Sequence, residues 1–253
     1  MSLDRKPTRK PPKPAQWALP TAMSRRRQES YLALIALVTV ALWQIELGRL
    51  ILYPFTLLAT WFHEMGHGLA SMALGARFEE LVIYANGSGY ALSSWPTGSS
   101  GFSHALTAAA GLLGPVAAGS IMIIASRSGK WRVIALHALA ALLVISLLFW
   151  VRSMAGWFVL SAFALAAFLI GQSRKPRLQR FAIELLGVQA SISLWRDLGY
   201  LFSDGAIVGG QSSRSDTGAI ADVLFLPYWL WGAVITATGA LMLVASLRFA
   251  SKR

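Results

Sequence analysis

The chain has 253 residues, 55% apolar and only 13% charged, against about 25% charged in soluble domains. A mean hydropathy of +0.54 and repeated apolar runs near the ~20 residues that cross a bilayer indicate a polytopic membrane protein. The absence of cysteine excludes disulfides, iron–sulfur clusters and thiolate zinc sites, so any metal falls to His, Asp or Glu; the net charge of +12 gathers at the ends and in short loops, which suits anionic lipid headgroups and not nucleic acid.

Residues 1–29 hold eight Lys or Arg and a run of prolines. They carry too little apolar surface to fold, and are expected to form a disordered basic cytoplasmic tail that meets anionic lipid. The apolar core of a signal peptide is missing. A single transmembrane domain is expected over 30–253.

Seven apolar segments follow, at about 30–48, 51–74, 104–126, 131–151, 154–172, 179–202 and 222–247. They give an all-α multi-pass fold of about six to seven membrane helices. The basic tail puts the amino terminus inside, yet an odd number of spans would leave the basic loop around Arg174 to Arg180 outside. Two readings resolve this: one of the first two segments is partly re-entrant, or the basic tail does not set the orientation.

The second segment contains "TWFHEMGHGLASMALG" at 60–75. His63, Glu64 and His67 spell H-E-x-x-H. On a helix the two histidines stand one turn apart on one face, where both imidazoles reach one ion and Glu64 meets an ion-bound water. Ionisable groups inside a membrane helix are costly and mark function by default.

Between the second and third spans, "LVIY" and "GYAL" flank Asn86-Gly87, which predicts a β-hairpin. No charge follows Glu80 until Arg127, so the hairpin belongs at the membrane interface. In the third span Gly111, Gly114 and Gly119 let helices approach closely, and Pro115 can kink it.

A catalytic zinc takes three protein ligands and a water, so a third ligand is needed. The histidines and acidic residues to choose from are His104, His137, Glu184, Asp197, Asp204, Asp216 and Asp222, with Asp204 and Asp222 in reserve. Asp197 is preferred, because Gln189, Ser193 and Asp197 form one stripe at i, i+4 and i+8; the other reading of Asp197 is a partner for Arg196 at the interface. Asp216 with Ser215 is read as the cap of the helix entering the last span.

His63-Glu64-Met65-Gly66-His67 in a membrane helix, then a hairpin, then a polar helix ending in Asp197-Leu198-Gly199, resembles the site-2 protease family of intramembrane zinc metalloproteases. That family's distal segment has Asn, then Pro, then Leu-Asp-Gly, and Gln189 occupies the register of the Asn, eight residues before Asp197. Gln189 replaces Asn, Ile192 stands where Pro is usual, and Arg196 precedes the Asp. "AGLLGPVAAG" at 110–119 and "SDTGAIADVLFLPYWLWG" at 215–232 are similar to runs in the compact bacterial branch without a PDZ domain.

The resemblance implies a zinc endopeptidase of the bacterial plasma membrane, cutting in or beside membrane helices of other proteins. His63, His67 and Asp197 would be the metal ligands, Glu64 the base and Gln189 a substrate-backbone contact. The hairpin at 81–92 would receive an unwound substrate segment as an added strand. Rival readings are an inactive relative serving as a membrane scaffold and a metal transporter; only a protease requires Glu64 as base.

Overall fold

The computed structural model describes residues 25–251. Two helices open the chain, α1 (Arg25–Trp43) and α2 (Glu46–Ala73), bent by 116° at the short break between them. The hairpin of β1 (Arg77–Ile83) and β2 (Gly89–Ser94) follows. Next come α3 (Gly101–Ala125), α4 (Gly129–Phe149), α5 (Met154–Gln172), α6 (Pro176–Arg196) and the single turn α7 (Leu198–Leu201). A second hairpin, β3 (Gly205–Val208) and β4 (Gln211–Arg214), precedes α8 (Asp216–Val223) and α9 (Tyr228–Ser251).

Four helices, α3, α4, α5 and α9, are long and apolar enough to cross a bilayer, and the bent α1–α2 pair makes a fifth if it is one span. That is fewer than the six to seven expected. The difference lies in α6, which packs in the bundle but carries Arg177, Arg180, Glu184, Gln189 and Arg196. The bend falls between the first two expected segments, and its geometry is that of a broken span or of a re-entrant loop. The expected last span divides into α8 and α9, with Pro227 unable to continue a helix from α8. Of the expected tail, 1–24 lie outside the described residues, and α1 begins at Arg25.

Small residues set the α2–α3 seam. A Cβ on Gly66 would sit 2.4 Å from the Ala110 carbonyl oxygen, and one on Gly114 would sit 2.7 Å from that of Phe62. Only glycine allows the two backbones this close, as the third-span glycines foretold. Gly119 makes the same kind of contact with α6, 2.5 Å from the Gly187 carbonyl oxygen.

The first hairpin pairs Ile83 with Gly89 through to Arg77 with Ser94, with a bulge between Phe78 and Glu80. Its turn holds Gly87 at φ +92°, a conformation glycine adopts without strain. It is tied down onto α2, since Tyr53 Oη donates to the Ala85 carbonyl and Thr60 Oγ1 to that of Gly87, both at 2.6 Å. The outer edge of β1 is occupied. Leu81 N–H donates to Trp150 O at 2.8 Å, Arg152 N–H to Leu81 O at 2.9 Å, and Ile83 N–H to Ser153 Oγ at 2.9 Å. The outer edge of β2 has no strand partner among the described residues.

The largest apolar cluster lies among α2, α4, α5 and β1, with Trp61, Leu81, Leu143 and Leu160 at 2% exposure or less. Trp61 Nε1 donates to Ser146 Oγ at 2.9 Å inside it, so the indole is buried without a polar penalty. A second cluster joins α3, α8 and α9 through Leu112, Val116, Ile220 and Ile235.

Candidate metal centre

His63 and His67 stand one helical turn apart near the carboxyl end of α2, with Nε2 atoms 3.0 Å from each other. The third group comes from α8. Asp216 Oδ2 lies 3.0 Å from His63 Nε2, and Oδ1 lies 3.4 Å from His67 Nε2. One donor atom from each residue falls within 4.8 Å of the other two, and this trio is the one such group among the described residues.

Each donor is oriented by its surroundings. His67 Nδ1 lies 2.9 Å from Thr107 O on α3; a carbonyl only accepts, so Nδ1 carries the proton and Nε2 keeps its lone pair for an ion. A Cβ on Gly111 would sit 2.1 Å from that ring, so glycine makes the space His67 fills.

Asp216 is held from two sides. Ser215 caps α8, its Oγ accepting from Gly218 N–H at 3.0 Å, which sets the helix start and leaves the next side chain free to face α2. Tyr200 on α7 packs against the carboxylate and the His63 ring, with ring centroids 6.2 Å apart. Both of its oxygens face ring nitrogens, Oδ2 that of His63 and Oδ1 that of His67, contacts that favour the ionised carboxylate over the neutral acid. Asp216 is therefore an anionic donor.

Glu64 is 5% exposed. Its carboxylate lies against β2, where a Cβ on Gly89 would come within 3.1 Å of Oε1. A cleft of about 220 Å³ opens beside it, lined by His63, Glu64, Gly89, Pro115 and Ser193 among others.

Asp197, the expected third ligand, is elsewhere. It is the carboxyl-terminal cap residue of α6 and pairs in two-pronged fashion with Arg196, Nε to Oδ1 at 2.8 Å and Nη2 to Oδ2 at 2.7 Å. The helix ends where the stripe would have delivered it, and Arg196, itself held by Thr56 Oγ1 at 3.1 Å, claims the carboxylate. Asp197 lines the cleft but lies outside the trio. Gln189 does not line that cleft; it is buried and donates to Thr39 Oγ1 of α1 at 2.9 Å. Asp204 and Asp222 both pair with Arg214. His104 contacts Ser99 Oγ, and His137 Nδ1 bonds Val133 O.

The sequence alone marks Asp216 as a cap residue, and nothing in it marks Tyr200 as the partner of that carboxylate.

Two imidazole nitrogens and one ionised carboxylate oxygen converging on a point suit a divalent ion such as zinc, which takes N and O ligands tetrahedrally and keeps one position open for catalysis. The His67–Thr107 bond supplies the outer support such ligands usually have. The donor set therefore fits a metal. Comparison with protein families matches the description "Peptidase M50B-like" over residues 31–246. The comparisons with curated proteins and with solved structures found no match.

Proposed function

The chain belongs to the M50B-like peptidases, within the site-2 protease family, and from that premise we propose that it is an intramembrane zinc endopeptidase acting on membrane-protein segments. The observation that carries this reading is the convergence of His63, His67 and Asp216 beside the buried carboxylate of Glu64. These three residues would hold the ion, with Asp216 in the place the sequence assigned to Asp197. A zinc bound there would polarise the scissile carbonyl and lower the pKa of water.

Glu64 takes the proton of the attacking water and passes it to the leaving amine. Its place against Gly89 sets the carboxylate beside β2. The unpaired edge of β2, at Gly89 to Ala91, then offers main-chain groups to an extended substrate beside that base. A helical substrate hides its carbonyls in hydrogen bonds and must unwind to use this edge, which favours substrates with Gly, Pro or Asn near the cut.

The test is a pair of measurements on purified protein in detergent. Zinc content should approach one per chain and fall with His63→Ala. Glu64→Gln should retain zinc and lose cleavage of a Leu-rich single-span peptide broken by Asn-Gly-Pro. Zinc-loaded Glu64→Gln cleaving at the wild-type rate would sink the hydrolytic role of Glu64.

A further inference from the structure

The β3–β4 hairpin supplies no ligand, yet Ala206, Ile207 and Val208 line the same cleft as His63 and Glu64. Its turn is Gly209-Gly210, both at positive φ, +58° and +84°, and the pair that closes it is Val208 with Gln211. A two-residue turn makes that closing pair hydrogen-bonded, and antiparallel pairs alternate. Ala206 and Val208 therefore turn their main-chain groups toward β4, whereas Gly205 and Ile207 turn theirs away.

Gly205 is already satisfied. Ser203 Oγ donates to its carbonyl at 2.6 Å and accepts from its N–H at 3.4 Å. Among the described residues Ile207 thus carries the open main-chain donor and acceptor of this edge, and its side chain is 73% exposed.

The ribbon is anchored at both ends. At its base Arg214 pairs with Asp204 and Asp222. At its tip Gly209 N–H donates to Ser88 Oγ at 3.4 Å, and a Cβ on Gly209 would lie 2.5 Å from the Tyr84 ring. The second hairpin thereby reaches from the entry of α8 to the turn of the first. A lone two-stranded ribbon is marginally stable, and one long tip hydrogen bond separates readily.

We infer that β3 is a second peptide-recognition edge, which pairs through the main chain of Ile207 with an extended apolar segment lying in the cleft. The inference rests on the peptidase reading above. The occupant is polypeptide and not an acyl chain, because Ile207 presents a main-chain donor and acceptor to it. It is apolar because Ala206, Ile207 and Val208 bring no charge to the cleft, and Arg196 and Asp197, which also line it, are paired with each other. Joined at their tips, the two hairpins bring two strand edges to one cleft.

The test uses the full chain loaded with zinc in detergent, and two probes: acetohydroxamate, and a Leu-rich peptide ending in a hydroxamate. Ile207→Pro deletes the outward N–H at a strand position whose N–H serves no ladder bond, so the hairpin can keep its pairing. Ile207→Ala removes the side chain and keeps that N–H. The expected result is peptide-hydroxamate binding about fivefold weaker in Ile207→Pro than in Ile207→Ala, the scale of one hydrogen bond, with acetohydroxamate binding equal in all three proteins. Equal peptide affinity in the Pro and Ala variants would overturn the β3 edge and leave the peptidase reading intact. Failure of wild type to take up zinc or to bind either hydroxamate would overturn both.

Discussion

The Tyr200 hydroxyl donates to Asp216 Oδ2 at 2.9 Å and accepts from the Asp216 main-chain N–H at 3.1 Å. The two contacts fix the carboxylate relative to its own backbone, so Tyr200 aligns the candidate ligand without joining the trio. Outer-sphere partners of this kind are worth about 10- to 100-fold in metal affinity. Tyr200→Phe should therefore weaken zinc binding about tenfold in chelator competition, with helical content unchanged by circular dichroism. Unaltered affinity would show that Ser215 and α8 align Asp216 unaided.

The two aspartates make opposite predictions. Asp216→Ala should reduce zinc from about one per chain to near none, because two ligands do not complete a catalytic site. Asp197→Ala should keep its zinc, since Arg196 is the partner of that carboxylate. Metal analysis of the two purified variants decides it, and the reverse pattern would return Asp197 to the ligand set.

Gly111 controls the position of His67. In Gly111→Ala the new methyl group would occupy the place of the imidazole, 2.1 Å from Cε1. The ring must turn and lose its bond to Thr107 O. Zinc affinity is expected to fall about tenfold or more, measured by the same chelator competition.

Acid should release the base of the second hairpin. Hydrogen bonding from Arg214 holds the Asp222 carboxyl below its ordinary value. A carboxyl depressed in the folded state contributes fully above its unfolded pKa, and that contribution disappears as pH falls through the lowered folded value. A spin label on Ser212→Cys, in a chain that has no other cysteine, should keep constant mobility from neutral pH down to the ordinary aspartate range and become more mobile below it. Arg214→Ala should show the mobile spectrum throughout. A label whose mobility ignored both changes would show that this tether does not restrain the ribbon.

The parts of the fold written in local patterns were readable. His63, Glu64 and His67 needed only helical spacing to share a face, and Asn86-Gly87 announced its hairpin. Asp216 is different, because nothing local to it describes α2. Its proximity to the histidines follows from the path of β3 and β4 and from Tyr200, a tertiary matter. The stripe through Asp197 failed because periodicity predicts a face only while the helix lasts, and α6 stops at Arg196. Gln189 illustrates the same limit, since a polar residue on a buried helix reveals that it needs a partner and not that Thr39 is the partner. Gly209-Gly210 was a turn signal of the same kind as Asn86-Gly87, but its flanking strands are only four residues each, too short for alternation to stand out.

A chain with no cysteine has no covalent staple between distant segments. The ligand trio sits where one would be placed, since two donors belong to α2 and the third to α8, with most of the helical bundle between them in the chain. An ion held there is a cross-link as well as a reagent. Because the unfolded chain cannot hold the trio together, metal binding adds to folding stability. Stripping the ion would then silence the site and loosen the closure between α8 and the helix that carries the histidines, coupling metal supply to the lifetime of the protein.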